Sequence, residues 1–362
     1  MAIKKILITG NEAVAEGAIQ AGCNFYAGYP ITPQNELTAY MAQHMPEAGG
    51  VFIQAESELA AINMVFGASA AGVRAMTSSS SPGISLKQEG ISYLAGAELP
   101  AVIVNVMRGG PGLGNISPSQ SDYFQATRSG GHGDYHSLVL APSTVQEAYE
   151  FMGLAFDLAD KYRAPAIILG DGMLGQMMEP ITLINADNKI RGYPRIKISE
   201  NPRPWALTGC KDRKPNIVRS LYLAEGDLEK LNITLQKKYK TIREKEQRYE
   251  GLFLDDAKII LVAYGTMARI AKSAMNKLRE NRKNVGLIRP IALWPFPDKA
   301  FALPPKSKVK YLVIEMSYGQ MLEDVRLAVN GRCPVEFFGR AGGGIPTQEE
   351  IIHKINLYGK NI

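Results

Sequence analysis

Cysteines are scarce in this sequence, and no two of them are close together. Cys23, Cys210 and Cys333 are odd in number and widely separated, which argues against a disulfide framework and favours a reducing compartment. A cytoplasmic location is the expectation that follows. Iron–sulfur clusters need closely spaced cysteine thiolates, and the sequence contains no Cys-x-x-Cys pair. We therefore expect no iron–sulfur cluster to be held by this chain alone.

Several other signatures are also missing. No uninterrupted apolar stretch approaches membrane-spanning length, so no membrane association is expected. The apolar run before Thr9 is too short for a secretion signal and is better read as a first strand. The sequence has no Gly-x-x-x-x-Gly-Lys-Ser/Thr phosphate loop and no Gly-x-Ser-x-Gly nucleophile elbow. His132 and His136 lie in a glycine-rich stretch, which favours a hydrogen-bonded loop over a metal site.

A cluster of basic residues does not indicate nucleic-acid binding. It lies in a charged helix predicted over residues 227–251 and comprises Lys237, Lys238, Lys240, Arg243, Lys245 and Arg248. Glu244, Glu246 and Glu250 interrupt the run, and no aromatic residues that could stack on bases are interleaved. We interpret the cluster as a solvated helical face, with no nucleic-acid partner.

The pattern of apolar and polar residues along the chain predicts an α/β protein. Its 362 residues, 46% hydrophobic and 21% charged, are enough for two domains. Apolar runs alternate with amphipathic helical patterns over the first half of the chain, which indicates a mainly parallel sheet covered on both faces. The predicted strands there are Ile6–Thr9, Phe25–Gly28, Val51–Gln54, Arg74–Ser78, Ala101–Met107, Leu138–Ala141 and Ala166–Gly170.

The second half alternates in the same way after a proline-rich connection. Residues 180–223 lose periodicity, and the charged helix follows. Further strands are predicted at Lys258–Ala263, 284–290, Val309–Glu315 and Val335–Gly339. We therefore divide the chain into a first domain at 1–185, a linker with the charged helix at 186–254, and a second domain at 255–362.

Polar and glycine-rich segments follow several of the predicted strands. They are the loop Gly28-Tyr29-Pro30-Ile31-Thr32-Pro33, the acids Glu56 and Glu58, the loop Ser78-Ser79-Ser80-Ser81-Pro82-Gly83, and Arg108 with its glycines. Open α/β sheets hold their ligands at the carboxyl ends of the strands. The sequence therefore predicts one site built from these segments.

The spacing of these segments resembles the first subunit of the 2-oxoacid:ferredoxin oxidoreductases, enzymes that use thiamine diphosphate to convert a 2-oxoacid to an acyl-CoA. The resemblance covers nearly the whole chain and implies a pyrimidine-binding domain followed by a domain of the transketolase C-terminal type. It makes the Tyr29-Pro30-Ile31-Thr32 loop part of the cofactor and substrate site. Counting nine residues back from Gly67 selects Glu58 as the acid that contacts the cofactor pyrimidine. Counting twenty-five residues on from Gly83 selects Arg108 as the substrate carboxylate ligand.

General chemistry suits these assignments. Burial among Leu59, Ala60, Ala61 and Met64 would raise the pKa of Glu58, as an acid that must keep its proton requires. Arg108 is permanently charged and forks its donors onto a planar carboxylate. Thr32 can donate a hydrogen bond to the 2-oxo group of a substrate.

Each assignment has a plainer alternative. Glu56 and Glu58 suit the first turn of a helix, and we take Glu58 as the catalytic acid and Glu56 as the helix-start residue. Arg108 could be a surface or ion-pair residue. Thr32 with its following proline is also a common helix start, so Thr32 could cap a helix as well as bind substrate.

The resemblance also implies partners. Gly170-Asp171-Gly172 looks like the start of a thiamine diphosphate magnesium motif, but Asn185 and Asn188 come too early to complete it. We interpret it as a turn at a strand end. Thiamine diphosphate is then shared with a diphosphate-binding beta subunit that carries the Mg²⁺, and the iron–sulfur clusters lie on iron–sulfur and gamma-type subunits. Ferredoxin and coenzyme A complete the reaction.

The substrate is harder to predict. The run from Ser78 to Gly90 and the later Pro118–Gln125 look most like the 2-oxoisovalerate members of the family. A substrate with a second carboxylate would need a second cation, which Lys87 could supply. The same chemistry on 2-oxoglutarate or pyruvate, and a noncatalytic assembly subunit with the same fold, remain the alternatives.

Overall fold

The computed structural model describes residues 5–183, 189–190, 193–194, 203–302 and 309–359. Two large sheets organise the chain, one of seven strands and one of five. Asn185, Asn188 and part of the predicted proline-rich connection lie outside the described residues. Within the described ranges, no helix is both long and apolar enough to cross a membrane.

The first part of the chain alternates strands with helices. The strands, in chain order, are β1 Lys5–Thr9, β2 Phe25–Gly28, β3 Val51–Gln54, β4 Ala75–Ser79, β5 Ala101–Met107, β6 Leu138–Leu140, β7 Pro165–Asp171 and β8 Met178–Thr182. The helices are α1 Gly10–Gln20, α2 Asn35–Glu47, α3 Glu58–Ala70, α4 Pro82–Gly96, α5 Tyr123–Thr127, α6 Val145–Tyr162 and α7 Gly172–Gln176.

The remaining elements include a five-stranded sheet with its helices, a separate two-stranded pair, and one strand that belongs to the first sheet. The strands are β9 Lys189–Ile190, β10 Tyr193–Pro194, β11 Tyr249–Leu252, β12 Ile259–Val262, β13 Val285–Pro290, β14 Ala292–Trp294, β15 Lys310–Glu315 and β16 Val335–Gly339. The helices are α8 Asp227–Lys245, α9 Gly265–Glu280, α10 Gln320–Val329 and α11 Gln348–Gly359, with a short 3-10 turn at Asp298–Phe301. The five-stranded sheet has the order β11-β13-β12-β15-β16, β9 pairs with β10, and β14 belongs to the first sheet.

The seven-stranded sheet is parallel except at one edge. Its order is β14-β6-β7-β5-β4-β2-β3, and only β14 at the edge runs antiparallel to its neighbour. Strands β4 and β5 are buried along their whole length, as expected for strands covered on both faces. The carboxyl ends of β2, β3, β4 and β5 therefore lie side by side, and the loops that follow them share one edge.

The first predicted strand lies outside this sheet. Strand β1 pairs antiparallel with β8 in a separate two-stranded ribbon. Its Leu7 is exposed, so the strand does not have the two buried faces that a central parallel strand requires. The apolar run identified a strand correctly but did not determine its partner.

Strands β8 to β11 and β14 were not predicted, and of these β11 and β14 belong to the two large sheets. The charged helix was expected to continue to Gly251, whereas α8 ends at Lys245 and the chain continues as β11, which pairs antiparallel with β13. The three-residue strand β14 pairs with β6, so it joins the first sheet although it follows β13 of the second. Both are edge strands, and the pairing of edge strands depends on tertiary contacts that local periodicity does not reveal.

Helices α3 and α4 pack closely because glycines replace side chains between them. A Cβ atom on Gly90 of α4 would lie 2.5 Å from Cγ2 and 2.6 Å from Cγ1 of Ile62 on α3. Gly83, one residue into the same helix, faces the first turn of α3 in the same way. The two glycines let α4 approach the helix that begins at Glu58.

We predict that Gly90→Ala destabilises the chain. The added methyl group meets the branched part of Ile62, and overpacking of this kind costs ~1–3 kcal/mol, more than the helix propensity gained. Gly67→Ala is the matched control, since a Cβ on this exposed α3 glycine meets nothing within 4 Å. Urea unfolding should give a lower midpoint for Gly90→Ala and an equal or higher one for Gly67→Ala. Equal midpoints for Gly90→Ala and the wild type would contradict the packing.

Candidate active site

The predicted site segments meet at the carboxyl edge of the parallel sheet. The Tyr29–Thr32 loop follows β2, Glu58 follows β3, the small-residue loop follows β4, and Arg108 follows β5. Hydrogen bonds link Arg108 to two of the other segments. Arg108 Nη1 donates to the Thr32 carbonyl oxygen at 2.9 Å, and the Arg108 N–H donates to Ser81 Oγ at 3.0 Å.

Glu58 is a buried acid at the start of α3. Its exposed fraction is 5%, and a Cβ on Gly83 would lie 2.5 Å from its Oε1 atom. Ser57 caps the helix, its Oγ accepting from the Ala60 N–H at 3.1 Å. Glu56 is exposed and precedes this cap, so the expectation that Glu56 starts the helix is wrong. The Ser57 hydroxyl marks the start of the helix instead.

The groups that bury Glu58 differ from those expected. Leu59 is 46% exposed, because the next residue along a helix points to a different face, so it does not cover the acid. Gly83 and Lys87, both on α4, contact the Glu58 residue instead. The cover over this acid therefore comes from the neighbouring helix.

The small-residue loop is held in an uncommon conformation at Ser81. Its φ is 27° and its ψ is −83°, values that cost energy for a residue with a side chain. The Ser81 N–H donates to Asn105 Oδ1 at 3.1 Å, and Ser81 Oγ donates to Asp122 Oδ2 at 2.6 Å. Asn105 Nδ2 also donates to Asp122 Oδ2, at 2.9 Å. This side-chain network stabilises the loop between Glu58 and Arg108.

Two hydroxyl groups and one guanidinium nitrogen in this region remain available. Ser79 Oγ, Ser80 Oγ and Arg108 Nε are buried and have no hydrogen-bond partner among the described residues. Buried polar groups are normally paired, so such orphans indicate that a ligand or water supplies the partner. Arg108 is 7% exposed, and its Nη2 donates to the Leu113 carbonyl oxygen at 3.1 Å.

The Tyr29–Thr32 loop lies at the open side of the site. Tyr29, Pro30 and Thr32 are exposed and Ile31 is half-buried. Thr32 does not cap a helix: α2 begins at Asn35 with Gln34 in the cap position. Thr32 Oγ1 accepts from Asn35 Nδ2 at 3.3 Å and can still donate its own proton.

Sequence reasoning missed the residues that hold this loop. Gln34 is fully buried, its Nε2 donates to the Tyr29 carbonyl oxygen at 3.3 Å, and its Oε1 accepts from Ser78 Oγ at 2.6 Å. Asn11 Nδ2 donates to the Pro33 carbonyl oxygen at 2.7 Å. A glutamine after a proline usually indicates an exposed loop, so the local sequence offered no sign that Gln34 is buried. It offered none for Asn11 either.

Two other ionisable groups lie in the site. Burial lowers the pKa of Lys87 to about 7, while the charge of Glu58 acts in the opposite direction. Burial raises the pKa of the Asp122 carboxyl, against the hydrogen bonds from Ser81 and Asn105. The site therefore combines buried acids with cations in a region largely shielded from water.

Comparison with known proteins decides the family. Residues 16–249 match the family described as pyruvate flavodoxin/ferredoxin oxidoreductase, thiamine diphosphate-binding, and residues 257–351 match the pyruvate:ferredoxin oxidoreductase core domain II. The chain belongs to the 2-oxoacid:ferredoxin oxidoreductases. It is an alpha-type subunit, and the fold class expected from the sequence is confirmed.

The similar relatives include two methanogen subunits and one solved enzyme. The chain is 49% identical over 350 residues to the ketoisovalerate oxidoreductase subunit VorB of Methanothermobacter thermautotrophicus, covering 96% of each chain. It is 37% identical over 373 residues to the 2-oxoglutarate synthase subunit KorA of the same organism, covering 97% of this chain and 98% of that one. The 2-oxoglutarate:ferredoxin oxidoreductase of Magnetococcus marinus superposes with a TM-score of 0.86 at 29% identity, covering 98% of this chain and 65% of that one. That solved enzyme has 2-oxoglutarate, coenzyme A and succinyl-CoA bound.

The described residues fit the pyrimidine side of thiamine diphosphate. Gly83 leaves space beside the Glu58 carboxyl and Ser79 Oγ that a Cβ would fill, and Ser79 Oγ is one of the buried hydroxyls with no partner among the described residues. An aminopyrimidine ring needs a carboxyl group and further polar partners, and this edge of the sheet supplies both.

We predict that Gly83→Ala weakens thiamine diphosphate binding by the assembled complex by about tenfold or more, since an inserted methyl in a packed site costs ~1–3 kcal/mol. The new Cβ would lie 2.0 Å from Ser79 Oγ and 2.5 Å from Glu58 Oε1, so the acid must move. Isothermal titration calorimetry measures the change, and Gly67→Ala serves as the control. Wild-type affinity in Gly83→Ala would show that the Glu58 carboxyl does not contact the cofactor.

Proposed function

We propose that the chain is the alpha subunit of an enzyme that decarboxylates 2-oxoisovalerate oxidatively, giving an acyl-CoA and CO₂ and reducing ferredoxin. The observation that carries this proposal is the buried Glu58 carboxyl, in contact range of Gly83 at the sheet edge that also bears Arg108. Membership of the family gives this edge its chemistry. The VorB similarity supports the branched-chain substrate.

Each site residue has one role in this proposal. When bound beside these residues, thiamine diphosphate would supply a nucleophile for the 2-oxo group of the substrate. Glu58 hydrogen-bonds the aminopyrimidine ring and holds the proton that the ring needs. Tyr29, Pro30 and Ile31 form the loop beside the cofactor, and Thr32 donates a hydrogen bond to the 2-oxo oxygen.

Arg108 is proposed to hold the substrate carboxylate. Its Nη1 and Nη2 already donate to the carbonyl oxygens of Thr32 and Leu113, while its Nε is buried and has no partner among the described residues. Each Nη carries a second N–H, so a carboxylate can bind to Nε and one Nη together. The protein contacts fix the direction of the guanidinium plane before substrate arrives.

Further subunits are proposed to carry the rest of the chemistry. Among the described residues, the cysteines form no disulfide; Cys23 and Cys333 are buried and Cys210 is exposed, which suits a reducing cytoplasm. Asp171 caps α7, its Oδ1 accepting from the N–H groups of Met173 and Leu174. Because the Asp171 carboxylate already accepts hydrogen bonds from the helix backbone, it is not assigned as a metal ligand. This supports our placement of the Mg²⁺ and the diphosphate on a beta subunit. Iron–sulfur and gamma-type subunits, ferredoxin and coenzyme A complete the proposed assembly.

The position of Lys87 favours a substrate with one carboxylate. Its Nζ donates to the Glu58 carbonyl oxygen at 3.3 Å and to Thr77 Oγ1 at 3.1 Å, and the side chain is fully buried. Lys87 is thus engaged beside the proposed cofactor acid, and we do not assign it to the second carboxylate of 2-oxoglutarate. We therefore keep 2-oxoisovalerate as the proposed substrate.

We predict that Glu58→Gln lowers turnover of the complete complex by about two orders of magnitude or more, the usual scale for losing acid–base help. Glutamine keeps the shape of glutamate but cannot exchange the proton. Glu56→Gln is the matched control, because Glu56 is an exposed acid two residues away. Both variant complexes should assemble. Near-normal turnover in Glu58→Gln would favour a noncatalytic assembly subunit, or the other acid if Glu56→Gln were inactive.

We predict that Arg108→Lys weakens transition-state binding by roughly 2 to 5 kcal/mol, because a buried carboxylate pair loses its bidentate geometry. The loss should be the same for every 2-oxoacid, since all share the carboxylate. Steady-state kinetics with 2-oxoisovalerate and 2-oxoglutarate test this, with Arg340→Lys at an exposed ion pair as the control. A variant that loses only its 2-oxoglutarate activity would mean that Arg108 binds a distal carboxylate.

A further inference from the structure

A short segment beside the site is held from the five-stranded sheet. Residues 118–124 lead into α5, and α10, which packs against β15, lies next to them. Gln320 is the first residue of α10. Its Nε2 donates to the Ser121 carbonyl oxygen at 2.7 Å, and its Oε1 accepts from the Phe124 N–H at 2.8 Å. One glutamine side chain therefore holds the backbone on both sides of Asp122.

Two further contacts attach the same segment. Gln120 is fully buried; its Nε2 donates to the Tyr264 carbonyl oxygen at 2.9 Å, and its Oε1 accepts from the Met316 N–H at 3.0 Å. The Tyr123 hydroxyl donates to Oδ2 of Asp324, one turn further along α10, at 2.6 Å. The segment is therefore attached to the five-stranded sheet and its helices on both sides of its centre.

Asp122 connects this attachment to the site. Ser81 Oγ donates to Asp122 Oδ2 at 2.6 Å, and Asn105 Nδ2 donates to the same oxygen at 2.9 Å. Ser81 Oγ in turn accepts from the Arg108 N–H at 3.0 Å. Ser81 has a φ of 27°, and a conformation of this kind persists only when the surrounding structure holds it. One carboxylate oxygen thus fixes the hydroxyl that binds the main chain of Arg108.

We propose that Gln320 is a positioning residue for Arg108. It fixes the backbone of Asp122, whose carboxylate holds Ser81 and, through Ser81, the main chain of Arg108. The effect on substrate rests on the proposed function, which gives Arg108 the 2-oxoacid carboxylate. The hydrogen bonds that connect Gln320 to Arg108 do not depend on the reaction, so they can be tested without it.

Loss of the Gln320 hydrogen bonds should raise KM and leave kcat nearly unchanged. A shifted Arg108 binds the substrate carboxylate less well in the ground and transition states alike, whereas a smaller folded fraction lowers kcat and leaves KM unchanged. Methionine has nearly the length of glutamine but makes neither hydrogen bond. Gln320→Met should raise the KM of the complete complex for 2-oxoisovalerate about fivefold, with kcat within about twofold of the wild type. A lower kcat with an unchanged KM would overturn the positioning role.

Hydrogen–deuterium exchange of the assembled complex tests the positioning without substrate. Peptides that contain the Arg108 amide report its hydrogen bond to Ser81, and they should exchange about fivefold faster in Gln320→Met. Gln348→Met is the matched control, because Gln348 is also half-buried and begins a helix, but its Nε2 donates to Ser273 Oγ at 2.9 Å. Wild-type exchange in Gln320→Met overturns the inference and leaves the proposed function intact. Absence of 2-oxoisovalerate turnover in the wild-type complex overturns the proposed function, and the exchange result still decides the inference.

A second variant tests the path itself and does not depend on Gln320→Met folding. Asp122→Ala removes the carboxylate that holds Ser81, while Gln320 keeps its bonds to main-chain groups. The Arg108 amide should exchange at least as fast in Asp122→Ala as in Gln320→Met. The double variant should exchange no faster than Asp122→Ala alone, because both changes act on one path. Wild-type exchange in Asp122→Ala, or additive effects in the double variant, would contradict the inference.

Discussion

The close approach of α4 to the start of α3 is the constraint on which the site depends. A buried carboxyl group is costly unless it is paired, and Glu58 has no room to be buried unless the facing residue lacks a side chain. Gly83 provides that room, and the amino-terminal end of α3 favours a carboxylate at its first residue. Ser57 fixes where the helix begins, so a cap and an acid that are adjacent at the start of α3, together with one glycine on α4, determine the position of a single carboxyl group.

Much of this arrangement could be predicted from the sequence because it is local. Strands β2, β3 and β5 were predicted at their exact bounds, since short apolar runs between glycines, prolines and polar residues fix both type and ends. Once those strands are parallel, their carboxyl ends must meet, and Thr32, Glu58 and Arg108 follow from that geometry. The charged helix and the second sheet were found for the same reason, although α8 is six residues shorter than predicted, ending at Lys245 rather than Gly251.

The remainder could not be predicted because it depends on contacts between distant residues. Gln34 and Asp122 directly precede helices and Asn105 lies within strand β5, and nothing in the local sequence shows which side chains each of them will bind. Strand β14 has only three residues, and its partner β6 lies about 150 residues earlier in the chain. Leu59 was expected to cover Glu58 because it is adjacent in sequence, whereas helical geometry directs it to solvent. The side chains of adjacent residues in a helix point in different directions, whereas residues on a neighbouring helix can face the same point.

The contacts of Arg108 fix the direction of its guanidinium group without using the side chains of the loops. Both terminal nitrogens bind backbone carbonyl oxygens, those of Thr32 and Leu113, and the side chains of these residues are exposed. Backbone carbonyls persist whatever side chain follows, so the direction of the guanidinium plane does not depend on the residues in either loop. Because the fold already fixes the direction of the Arg108 guanidinium plane, this side chain would lose less entropy on binding a carboxylate. In the proposed role of Arg108 as the carboxylate ligand, a change of side chain in either loop would therefore leave the direction of its donors unchanged.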